Sequence, residues 1–182
     1  MNHIAYTIGN KLYLNITNHC SNHCDFCIRY KTKIFNKKYP LWLQKEPTVP
    51  EIIKAIGDPA KYEEVVFCGY GEPLIRLDEV KQIAKTLKDK YKSIVRIDTD
   101  GEANLVHGRN ILPELAGLVD IISVSLNAQD AATFDKLCHS KFGTKAYPAI
   151  IDFIKEAKKY IPHVIASVVE LPQVDIAKCR EI

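Results

Sequence analysis

The sequence predicts an α/β fold: a partial, open (β/α)6-type barrel of parallel strands, with five strands visible plus a short N-terminal hairpin. Two observations carry this. Short apolar runs that alternate with period two take turns with longer runs whose apolar residues recur every three or four positions. The unusual polar and glycine-containing segments all follow a strand, at the end where parallel α/β folds bind ligands. An open doubly wound sheet gives the same one-dimensional pattern, so periodicity by itself does not carry the curl.

The elements follow in order. Residues 12–17 (Leu, Tyr, Leu, Asn, Ile, Thr) alternate as a strand, and Gly9–Asn10 turns the chain back from residues 5–8. Residues 50–56 read as a helix ending near Gly57, and 64–68 as a short strand stopped by Gly69. In 77–91, Leu77, Val80, Ile83, Ala84 and Leu87 share a helical face. Residues 93–99 form a strand, 113–118 a short helix and 121–126 a strand. Asp130 caps a helix over 130–137. A helix over 147–160 buries Ile150, Ile151, Ile154 and Ala157, a fifth strand runs over 163–171, and a helix starts at Asp175.

Composition bounds the class. The chain has 182 residues, 47% hydrophobic and 26% charged, as in a globular protein with its own core. A single domain over 1–182 is expected. No apolar run approaches the roughly 20 residues of a membrane span. Residues 1–4 lack a basic segment followed by an apolar one, so no signal peptide is expected and the location reads as cytoplasmic. A net charge of +3 does not by itself argue for nucleic acid.

Six cysteines are present, and Cys20, Cys24 and Cys27 fall in one short loop after the first strand. Clustered thiols without an export signal read as metal ligands in a reducing compartment. Soft sulfur suits zinc, copper(I) or an iron–sulfur cluster. His19 or His23 can supply the fourth ligand of a zinc site. A 4Fe–4S cluster held by three cysteines keeps one iron open for a non-protein ligand. Cys68, Cys138 and Cys179 stand apart, as small buried apolar side chains do.

The other strand ends carry Gly69–Tyr70–Gly71–Glu72–Pro73, Asp98–Thr99–Asp100–Gly101, Asn127–Ala128–Gln129 and Glu170–Leu171–Pro172. Two glycines permit close backbone approach beside the Glu72 carboxylate. Polar residues also recur at period two within strands: Asn15 with Thr17, Arg96 with Asp98 and Asp100, Ser123 with Ser125 and Asn127. Buried parallel strands are usually continuous in Val, Ile and Leu. The polar rows point to a ligand-filled interior or to groups that satisfy one another.

These motifs resemble a known family. Cys20-x3-Cys24-x2-Cys27, with Phe26 before the last cysteine, is similar to the signature of radical S-adenosylmethionine (SAM) enzymes. Gly71–Glu72–Pro73 resembles that superfamily's Gly-Gly-Glu-Pro motif, with Tyr70 in place of the first glycine. Asp98–Thr99–Asp100–Gly101 resembles the third-strand segment of activating-enzyme-like members. From Tyr6 to Pro172 the chain looks most like the short TatD-nuclease-associated radical SAM proteins.

The resemblance implies a barrel of six strands, one more than the five visible here. It implies a 4Fe–4S cluster on Cys20, Cys24 and Cys27, with SAM on the open iron and Phe26 near it. Tyr70, Gly71 and Glu72 then bind the methionine ammonium, and Asp98, Asp100, Ser125 and Asn127 the ribose side. A low-potential reductant of the flavodoxin or ferredoxin type supplies one electron. SAM is cleaved to a 5′-deoxyadenosyl radical that takes hydrogen from a substrate. A glycyl-radical activase, a deazapurine synthase and a nucleic-acid modifier all fit this core. From the residues alone, a zinc-binding module and a non-catalytic iron–sulfur protein stay open beside it.

On the substrate side, His107, Arg109 and Glu170 follow the third and fifth strands. Between Asp25 and Glu46 there is no acidic residue, while Arg29, Lys31, Lys33, Lys37, Lys38 and Lys45 interleave with Tyr30, Phe35, Tyr39 and Trp42. Such a segment suits a phosphorylated substrate or nucleic acid, or a solvated loop with its aromatics tucked inward.

Overall fold

The computed structural model describes residues 3–182. β1 (Ala5–Ile8) and β2 (Lys11–Leu14) form an antiparallel hairpin turned at Gly9, whose φ of 55° suits glycine. β3 (Glu64–Phe67), β4 (Val95–Thr99), β5 (Ile121–Ser125) and β6 (His163–Ser167) add in parallel. The sheet order is β1-β2-β3-β4-β5-β6, so each strand lies beside its predecessor. A doubly wound sheet reverses direction at a switch point. This one never does, so right-handed crossovers place the helices that pack on the sheet on one side and leave the other face open. The first and last strands do not pair, and the barrel is not closed.

The helices are α1 (Ile28–Lys31), α2 (Val49–Ile56), α3 (Leu77–Thr86), α4 (Ala103–His107), α5 (Leu112–Leu115), α6 (Ala131–Cys138), α7 (Ala146–Ala157) and α8 (Ile176–Cys179). Two start on devices legible in the sequence. Thr48 and Glu51 form a reciprocal capping box on α2, and Asp130 caps α6 by accepting the Thr133 N–H at 2.8 Å.

Strand register decides the two faces. Leu12, Val65 and Val95 form one row, and Leu14, Phe67, Ile97 and Ile122 the next. These side chains are buried against Ile52 of α2, Val80 and Ile83 of α3, Leu112 of α5, Phe134 of α6 and Phe153 of α7. Each contributes about 1.5–3 kcal/mol by leaving water. The opposite face carries Tyr13, Arg96, Asp98 and Ser125, all half-buried.

The five parallel strands and the hairpin stand as predicted; a sixth parallel strand is not among the described residues. Boundaries differ for physical reasons. β2 stops at Leu14 rather than Thr17, because the Asn15 and Thr17 side chains take groups from neighbouring loops. The segment after β4 that carries His107 and Arg109 contains α4. The helix expected over 113–118 ends at Leu115, with Gly117 following at φ 73°. β6 ends at Ser167, short of residue 171.

Candidate functional site

The ends of β2, β3, β4 and β5 meet around a cavity of about 190 Å³ lined by Cys20, Cys68, Tyr70, Glu72, Asp98, Asp100 and Ser125, with backbone of the glycine loop. The sequence-predicted Gly71 is also on its wall. The glycines are there for packing. A Cβ on Gly69 would lie 2.2 Å from Asn15 Oδ1, and one on Gly71 would lie 2.4 Å from the His19 carbonyl. The loop after β3 therefore lies directly on the cysteine loop, and the Glu72 N–H donates to His19 O at 2.7 Å.

Buried Asn15 holds this junction. Its amide donates to the carbonyls of Leu41 (2.6 Å) and His3 (3.2 Å), and its oxygen accepts from the Tyr70 N–H (3.2 Å). Thr17 donates to Glu46 and accepts from the His19 N–H at 2.9 Å. This part of the polar row is satisfied by protein. Arg96, Asp98 and Ser125 instead stay on the open face, Asp98 held by the Arg96 Nε–H at 2.7 Å.

Three carboxyl groups gather here: Glu72 and Asp100 line the cavity, and Glu102 lies behind Asp100. Glu72 is buried and accepts from Thr99 Oγ1 (2.9 Å), the Leu74 N–H (2.9 Å) and the Asp100 N–H (2.6 Å). Asp100 accepts from Ser21 Oγ (2.8 Å) and the Glu102 N–H (3.0 Å), and Cys20 Sγ lies 3.8 Å from its Oδ2. Burial pushes the Glu72 and Asp100 carboxyls above the ordinary range, and the Asp100 charge adds to the shift of Glu72. Burial, then the Asp100 charge, pushes Glu102 up to about 7; its one partnered oxygen accepts from Ser140 Oγ at 3.0 Å.

The cysteine loop is clamped on both sides. His23 N–H and Asp25 N–H donate to the carbonyls of Cys138 and Leu137 at 2.9 and 3.0 Å, so the loop pairs with the end of α6. The Cys24 thiol meets the Cys138 thiol, and that hydrogen bond, then burial, pushes the Cys24 thiol up. Burial and the Asp100 charge push Cys20 up as well. On the other side, the Arg29 guanidinium donates to the carbonyls of Asn18 (3.0 Å), Asn22 (3.1 Å) and Tyr70 (3.4 Å).

Cys20, Cys24 and Cys27 are all free thiols and all partly buried. Among the described residues, no three His, Cys, Asp or Glu side chains converge on one ion-sized point. A cubane offers a separate iron to each thiolate, so three spaced sulfurs from one loop fit it as a donor set. His23 instead stacks on Tyr30, ring centroids 4.3 Å apart, and His19 lies 3.8 Å from Glu46.

The remaining predicted residues are placed as follows. Phe26 packs, half-buried, against the main core. Asn127 is buried beyond β5 at φ 59°, its N–H donating to Ser167 O at 3.3 Å. His107 points a ring nitrogen at Leu74 O (2.8 Å), and Arg109 pairs with Glu114. Glu170 is exposed past the end of β6. None of these five lines the cavity. Sequence reasoning missed Cys68 and Thr99 in its wall, Ser21 and Glu102 on Asp100 behind it, and Cys138 against Cys24. Cys68 is pushed up to about 12 by burial and the Asp98 charge.

Comparison with known proteins bears on this arrangement. The family model described as the radical SAM superfamily matches residues 14–178. No curated protein sequence matches the chain. Among solved structures, a radical SAM methyltransferase from Sphaerobacter thermophilus superposes with a TM-score of 0.67 at 16% identity, covering 97% of this chain and 53% of that one. A structure of TYW1 with a lysine-pyruvate adduct bound superposes with a TM-score of 0.63 at 13% identity, covering 93% of this chain and 59% of that one. At these identities the likeness is one of fold, and the chain spans little more than half the length of either structure.

Proposed function

The chain belongs to the radical SAM superfamily, and on that premise we propose that Cys20, Cys24 and Cys27 hold a 4Fe–4S cluster whose fourth iron takes SAM. One observation carries the reading: Cys20 shares a single cavity with Tyr70–Glu72, Asp98, Asp100 and Ser125, contributed by four strand ends. Once bound and reduced by an external flavodoxin- or ferredoxin-type donor, the pair supplies a 5′-deoxyadenosyl radical that takes hydrogen from a substrate.

The chain's own residues orient and shield. The carbonyls of Tyr70 and Gly71 and the neighbouring Glu72 face the methionine ammonium. Asp98, Asp100 and Ser125 accept or donate at the ribose, with Asn127 behind them. Phe26 shields the cluster from the core side. The roughly 190 Å³ cavity is smaller than the 300–1,000 Å³ of whole small-molecule pockets. It would hold one end of SAM only, leaving the rest to the open sheet face that carries Asp98 and Ser125. Residues 1–182 act as one core domain of the short TatD-associated kind, in a reducing compartment such as the cytoplasm. No helix of the described residues is long and apolar enough to cross a membrane.

Anaerobic reconstitution with iron and sulfide tests this. The expected product is brown, carries about four irons, changes its reduced EPR signal on adding SAM, and releases 5′-deoxyadenosine with dithionite. A colourless protein with one zinc, or an EPR signal indifferent to SAM, overturns it.

A further inference from the structure

A second cavity, of about 460 Å³, lies outside the sheet, lined by Arg29, Lys33, Pro40, Trp42 and Tyr70. Its walls follow from the chain between α1 and α2. Leu41 and Leu43 are buried at 2% and 3% exposure, and the alternation turns Trp42 between them outward, 54% exposed. Before it, Phe35 and Tyr39 pair as a tight hairpin. Asn36 and Lys37 at its tip stand at φ 49° and 56°, a left-handed pair that usually takes glycine. A lysine there costs backbone strain and places a cation at the tip.

The arm is fixed at its base. Tyr70 OH donates to Thr32 O (2.9 Å), Asn18 bonds Leu43 through both backbone groups, and Tyr39 packs with Tyr6. Its charge has one sign. The acids that bound it face elsewhere, Asp25 to His139 (2.9 Å) and Glu46 to Arg76 (3.6 Å). Among the described residues, Arg29, Lys31, Lys33, Lys37 and Lys38 have no carboxylate partner. The guanidinium of Arg29 rests on neutral carbonyls, so its charge is uncompensated.

We propose that this arm binds single-stranded nucleic acid, with a base stacked on Trp42 in the cavity and the strand's phosphates along Lys33, Lys37 and Lys38. An exposed aromatic beside a run of cations is the pairing that stacking and backbone contact require. Lys37 and Lys38 lie on the hairpin, outside the cavity lining, so the cations extend further than one nucleotide reaches. An acidic protein would use the charge but not the exposed ring. Tyr70 lines both cavities, so a bound strand sits one side chain away from the proposed cofactor. The inference deepens the function proposed above and rests on it for the reaction, though not for binding.

Trp42 is the only tryptophan, so its fluorescence reports on the site directly. The reconstituted protein is titrated with unlabelled 12-nucleotide oligouridylate and oligothymidylate. Saturable quenching by either is expected; the three phosphate contacts at Lys33, Lys37 and Lys38 weaken binding about 20-fold between 50 and 200 mM salt. Lys37→Glu with Lys38→Glu lowers affinity at least tenfold and flattens the salt dependence. By filter binding, Trp42→Ala loses about tenfold and Trp42→Phe keeps most of the affinity. No quenching by either oligomer, uridine monophosphate binding as tightly as the 12-mer, or polyglutamate binding equally well overturns the proposal. SAM cleavage by the same preparation is the separate readout. Cleavage without strand binding removes this inference alone; strand binding without cleavage removes the radical reading alone.

Discussion

Glu72 accepts the backbone N–H of Asp100 at 2.6 Å, so one buried carboxylate ties the loop after β3 to the end of β4. Thr99 and Leu74 bond the same group. Glu72→Ala strands three buried donors and is expected to cost about 3 kcal/mol in urea denaturation. Equal stability of the variant and the parent would show that the tie carries no weight.

Gly71→Ala is expected to destabilise the protein by about 1–3 kcal/mol and to weaken SAM binding, because the new Cβ meets the His19 carbonyl at 2.4 Å. Gly108, at φ 64° with nothing within 4 Å of its Cβ, is the control. Gly108→Ala pays only for its backbone and leaves SAM binding intact, as calorimetric titration will show.

Stability falls as pH rises through the window set by Glu102. Its carboxyl goes from an ordinary 4.5 when unfolded to about 7 when folded, pushed first by burial and then by Asp100. The folded state therefore holds the extra proton between these values. The stabilisation is complete below about 4.5 and is lost as pH passes about 7, on the order of 3 kcal/mol at most. Glu102→Gln flattens this part of the profile; an unchanged slope between the two proteins would assign it to other groups.

Asp98→Asn is expected to leave the melting temperature within a few degrees while weakening SAM binding about tenfold, the worth of one hydrogen bond to a charged group. Asp98 is half-buried on the open face, and its partner Arg96 keeps the amide oxygen as an acceptor. Unaltered affinity would remove Asp98 from the ribose site.

The order of elements was legible because each strand's period and each helix's stripe are local properties. The cysteine spacing was legible for the same reason. What escaped was set by contacts between distant segments. Glu102 reads as a loop residue until Asp100 and Ser140 are seen around it. Cys138 reads as an ordinary core residue until it meets Cys24. Arg29 reads as one more surface cation, yet it staples the carbonyls of Asn18, Asn22 and Tyr70. Asn15 and Thr17 continue the strand's alternation in sequence but leave the ladder, since their side chains find better partners outside it.

The clamp between the cysteine loop and α6 has a consequence for how the protein is made. Asp25 and His139, which close it, lie 114 residues apart. At a synthesis rate of 5–20 residues per second, roughly ten seconds separate the emergence of the thiols from that of the segment that shelters them. Iron and sulfide delivered during that interval would meet a loop without its scaffold, so the proposed cluster would be loaded after translation.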